Sequence, residues 1–62
     1  MKAVKITKVI GDFDKQKFTV YYSNKFKASF DRQSMPEEAW VFIEEGEEKH
    51  LHDHVYLYTP EY

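Results

Sequence analysis

Two stretches of the chain alternate strictly between apolar and polar positions. In residues 17–23, Phe18, Val20 and Tyr22 alternate with Lys17, Thr19 and Tyr21; in residues 25–31, Phe26, Ala28 and Phe30 alternate with Lys25, Lys27 and Ser29. A period of two places successive side chains on opposite faces of a strand, so each stretch predicts a β-strand with one apolar and one Lys-rich face. Ser23 and Asn24 between them are turn formers, and Asn tolerates a positive φ, so the pair predicts a short hairpin. Upstream, Val4, Ile6 and Ile10 share parity with Lys8, while Val9 has the opposite parity. Residues 3–12 therefore read as a strand with an irregularity near Lys8 or Gly11, turning through Asp14, Lys15 and Gln16.

The pattern changes at Ser34-Met35-Pro36-Glu37-Glu38. Ser34 has the chemistry of a helix N-cap, Pro36 suits a first turn where its missing N–H costs nothing, and Glu37 stands three residues on, as in a capping box. A helix from here buries Met35, Ala39, Phe42 and Ile43, with Trp40 on the flank, and ends at Gly46 in a left-handed cap. A competing reading makes Trp40-Val41-Phe42-Ile43 a strand. The residues His54-Val55-Tyr56-Leu57-Tyr58 predict a final strand that stops before Pro60. The expected fold is α+β in the order β-β-β-α-β, with one helix across one face of a small antiparallel sheet. If the strand alternative holds, the chain becomes a five-stranded SH3-like or OB-like barrel.

Length and charge refine this picture. Sixty-two residues make one small domain, 1–62, with room for a core of roughly a dozen side chains. Eleven aromatics exceed what such a core holds, so some Tyr or Trp are expected at the surface. There is no Cys, which excludes a disulfide scaffold or thiolate metal site and favours a reducing compartment. The start has no apolar run of signal-peptide length, and nowhere do 18 apolar residues follow one another. A cytoplasmic protein without a membrane span is expected. The net charge of −2 conceals a division. Residues 1–33 carry eight Lys or Arg against three Asp, a balance of +5, and residues 34–62 carry Lys49 alone against eight carboxylates, a balance of −7.

Enzyme signatures are missing. Gly11 and Gly46 stand 35 residues apart, so no glycine-rich phosphate loop exists, and there is neither a Gly-x-Ser-x-Gly elbow nor a thiol. No cofactor is expected. His50, His52 and His54 would share one face of a regular strand and could pair on a zinc ion, but no fourth ligand follows a recognisable pattern, so no metal site is assigned.

Two surfaces remain. Glu37, Glu38, Glu44, Glu45, Glu47, Glu48 and Asp53 form an acidic group around Trp40, Tyr56 and Tyr58. Glu44, Glu45, Glu47 and Glu48 stand where a helix C-terminus favours cations, so their charge has no local benefit and points to an external basic partner. The expectation is a non-enzymatic small protein that binds and modulates or inhibits another protein through this acidic, aromatic surface. Its size and style are those of stand-alone inhibitors encoded by phages and mobile elements, an analogy and no more. The alternative is RNA or single-stranded DNA on the Lys-rich hairpin face, with Lys15, Lys17, Lys25 and Lys27 around Tyr21. A homodimer through an edge strand or the surface aromatics is compatible with either.

Overall fold

A computed structural model describes residues 4–60, so Ala3, at the start of the first predicted strand, lies outside the described residues. The elements are β1 (Ile6–Asp12), β2 (Lys17–Tyr22), β3 (Lys27–Asp31), a 3₁₀ turn (Arg32–Ser34), α1 (Glu37–Glu45), β4 (Glu47–His52) and β5 (Val55–Thr59). All strands pair antiparallel in the order β3-β2-β1-β5-β4. The α+β class and the helix over residues 40–43 hold, and the expected order gains one strand, β4, from an acidic stretch that the sequence reading left unassigned. Because β3 and β4 are both free edges, the sheet is open and the barrel alternative is excluded.

The core forms on one face only. Val9, Phe18, Val20 and Tyr58 from the sheet meet Met35 and Ala39, while Ile6, Tyr22, Phe30, Trp40, Phe42, Ile43 and Tyr56 pack around them. Ile6 and Val9 have opposite parity, yet both face inward. A bulge between Ile6 and Lys8 makes this possible: Ile6 pairs with Tyr22 and Lys8 with Tyr21, so Thr7 is the extra residue and the strand's parity is reset. The irregularity expected near Lys8 is therefore real.

Four local expectations are corrected. Phe26 is not core: the turn spans Ser23 to Phe26, β3 starts at Lys27, and Phe26 is 60 % exposed, with Val4 exposed as well. The left-handed residue in that turn is Lys25, φ 69°, while Asn24 accepts the Phe26 N–H through its side chain. Ser34 does not cap α1; it closes the 3₁₀ turn, its hydroxyl accepting the Asp31 N–H at 3.1 Å, and Pro36 occupies the N-cap with no side-chain bond. Gly46 is extended, φ −91°, rather than left-handed. It must be glycine because a Cβ there would collide with the carbonyl oxygens of Thr59 and Phe42.

Candidate functional site

The helix crosses the sheet against β1 and β5, so the molecule presents two distinct surfaces. The first lies on the helix side. At 3.6 residues per turn, Glu37, Glu38, Val41, Glu44 and Glu45 fall on the side of α1 away from the sheet, all exposed, Val41 at 42 %. Trp40 packs against Phe18, ring centroids 5.3 Å apart. Phe18 then meets Phe13 edge-on at 5.4 Å, Phe13 meets Tyr56 at 5.6 Å, and Tyr56 meets His50 at 4.9 Å.

These five rings form a continuous run across the inner face, and it comes to the surface at Phe13, 44 % exposed, and at His50. Gly11 makes the run possible, since a Cβ there would stand 2.8 Å from the Phe18 ring, which lies over the strand beside Phe13. Phe13 was not among the residues singled out in the sequence; its place directly after Asp12 looks like a turn position, and the only signal was an apolar residue in a polar turn.

The ten residues expected to face a partner are thus divided. Glu37, Glu38, Glu44 and Glu45 share the outer stripe of α1. Trp40 and Tyr56 are half-buried in the ring run, and Glu48 shares the inner face of the sheet, opposite Tyr58. Glu47 pairs with Thr59 and faces the other side of the sheet, and Asp53 sits in the β4–β5 turn. Tyr58 is 2 % exposed and belongs to the core. Burial, and after it the Glu48 carboxylate, hold its hydroxyl well above the ordinary phenol range.

The second surface is the helix-free face of the sheet. The registers place Lys8, Ile10 and Asp12 of β1 beside Tyr21, Thr19 and Lys17 of β2 and, across β5, Leu57 and Val55. Lys27, Ser29 and Asp31 continue this face onto β3 and Lys49 onto β4. The Lys8 ammonium lies 4.6 Å from the centre of the Tyr21 ring and that of Lys27 6.0 Å from it. Lys17 is paired with Asp31. Lys15 and Lys25, expected on this face, stand instead in the turns at its two ends.

The three histidines do not converge. A register shift between His50 and His52 turns His50 to the inner face, where its Nε2 bonds the Asp53 carbonyl, and His52 toward Asp53 at 3.3 Å, with His54 in the turn. An open depression of about 550 Å³ beside them is lined by Asp12, Asp14, Lys15, His52, Asp53 and His54. Asp12 is already committed there, one carboxylate oxygen accepting the N–H groups of Asp14 and Lys15. Among the described residues no three histidines or carboxylates are arranged to hold a metal ion, and no helix is long and apolar enough to cross a membrane. Comparison with family models, curated proteins and solved structures gives no match, so function is read from geometry alone.

Proposed function

We propose that the chain is a non-enzymatic, cytoplasmic binding protein that modulates or inhibits another protein through the helix side of the sheet. The observation that carries this reading is the run Trp40–Phe18–Phe13–Tyr56–His50, which emerges at Phe13 and His50 beside a helix whose outer side is lined by four glutamates. Rigid rings supported from below are the usual anchors of an interface, because little side-chain freedom is lost when they are covered. Carboxylates on the same side steer a basic partner and oppose an acidic one. Glu44 and Glu45 at the end of α1, with no basic residue in its last turn, fit a surface selected for the partner rather than for the helix.

The test is a pull-down from host lysate with the wild-type chain and two variants. Phe13→Ala and the double variant Glu44→Lys with Glu45→Lys should keep the fold and lose the retained protein. Retention by both variants, or loss only when Lys8 and Lys27 are reversed, would overturn the assignment of this surface.

A further inference from the structure

We infer that the helix-free face of the sheet is a second site, which takes single-stranded RNA centred on Tyr21. It is independent of the protein-binding surface, which lies on the other side of the sheet. Half-buried Ile10, Val55, Leu57 and Tyr21 make a floor that α1 does not cover. The charge around Tyr21 is of one sign. Lys8 and Lys27 stand over its ring from the two neighbouring strands, and Lys5 and Lys25 extend the basic edge, the Lys5 backbone being bonded to Ser23 of the adjoining turn. The ion pairs among the described residues are Lys17–Asp31 and His52–Asp53, so no described carboxylate forms a salt bridge with any of these four lysines. Asp12 and Asp31 lie at the opposite end of the face, and Glu47 is on the edge strand β4, with β5 and β1 between it and Tyr21.

The shape and chemistry select the ligand. An open sheet has no protruding element to enter a duplex groove, whereas a flat floor with an aromatic ring and flanking cations suits unstacked bases and their phosphates. Five strands spaced about 4.8 Å apart give a platform about 19 Å wide, room for a few nucleotides. Toward the β3 edge of this platform the Thr19 and Ser29 hydroxyls are bonded to each other at 3.5 Å, exposed enough to exchange that bond for one to a ligand. Groups that both donate and accept can bond a ribose 2′-hydroxyl, which favours RNA over DNA.

The experiment is fluorescence anisotropy with a fluorescein-labelled ten-residue oligouridine. The full chain should bind it, and affinity should fall about fifty-fold between 50 and 200 mM salt if four phosphates are neutralised. Tyr21→Thr should weaken binding about tenfold or more and Tyr21→Phe much less, because the ring and not its hydroxyl stacks. The variant Lys8→Gln with Lys27→Gln, at exposed or half-exposed positions that leave the core alone, should flatten the salt dependence while keeping the wild-type Tm. Glu44→Lys with Glu45→Lys should not weaken the RNA, which separates this site from the protein-binding surface. Absence of binding at 50 mM salt, equal affinity for the deoxy strand or the duplex, or binding unchanged in the lysine variant would overturn the inference. So would a salt-sensitive self-association seen by light scattering that buries this face against the glutamates of a second copy.

Discussion

At the scale of single residues, burial decides which aromatic matters. Phe18 is almost fully enclosed and meets both Phe13 and Trp40, so Phe18→Ala should cost about 3 to 5 kcal/mol, enough to unfold a domain of this size. Phe26→Ala, in the exposed turn, should cost well under half of that, its one ring neighbour being Tyr22 at 6.0 Å. Chemical denaturation of the two variants checks the contrast, and equal losses would contradict the turn assignment. Backbone conformation supplies a second case. Gln16, Lys25 and Asp53 all adopt positive φ without being glycine, at a cost of roughly 1 kcal/mol each. Lys25→Gly removes that cost where the side chain is exposed, so a rise of a few degrees in Tm is expected, offset in part by the greater freedom of the unfolded chain. Gly46→Ala should do the reverse, since the new methyl has no space between Phe42 and Thr59.

At the scale of the element, α1 is held by tertiary contacts rather than by its own ends. Its N-cap is Pro36, which bonds no amide with its side chain, and its last turn carries Glu44 and Glu45 against the helix dipole. Two changes should therefore stabilise it. Pro36→Ser, at a backbone geometry that a serine cap adopts, should add about 0.5 to 1 kcal/mol. Glu44→Lys with Glu45→Lys should add a few tenths of a kcal/mol to about 1 kcal/mol at low salt, falling as salt is added. The second change is also the one expected to abolish partner binding. A melting temperature that rises while binding disappears would mark the glutamates as functional, whereas a fall in stability would mean that they have unseen partners. β4, exposed at every position and carrying charge along its free edge, is guarded against pairing with other chains in the way edge strands usually are.

At the scale of the whole molecule, the fold sets most of the basic half of the chain at one side of the sheet and the acidic half on the helix and the opposite edge strand. The +5 half of the chain supplies β1, β2 and β3, and with them most of the basic helix-free face, while the −7 half supplies α1 and β4. Sheet and helix are joined at Tyr58, whose phenol is protonated in the fold far into the alkaline range because burial and Glu48 both oppose its ionisation. An unfolded tyrosine ionises near pH 10, so the folded state holds a proton that the unfolded state releases. The contribution is intact below about pH 10 and is lost as pH rises above it. Denaturation midpoints measured from pH 9 to 11.5 should fall, and the fall should be shallower in Tyr58→Phe. Identical slopes would show that Tyr58 is not the group responsible.

The sequence by itself determined the local elements, because periodicity and turn chemistry act over a few residues. The alternation of Phe18, Val20 and Tyr22, the helix around Ala39, Phe42 and Ile43 and the last strand at Val55 are legible without coordinates. Tertiary structure decided whatever depended on register. The bulge at Thr7 turned Ile6 and Val9 to the same side, the shift at Leu51 separated His50 from His52, and pairing with β5 made a strand of Glu47–His52, which has no apolar alternation of its own. The same holds for the candidate surfaces. Tyr58 left the acidic surface for the core, and Phe13 joined the ring run across Gly11. Lys8 replaced Lys15 beside Tyr21, because the residues that share a face are set by which strands lie next to each other and not by their distance along the chain.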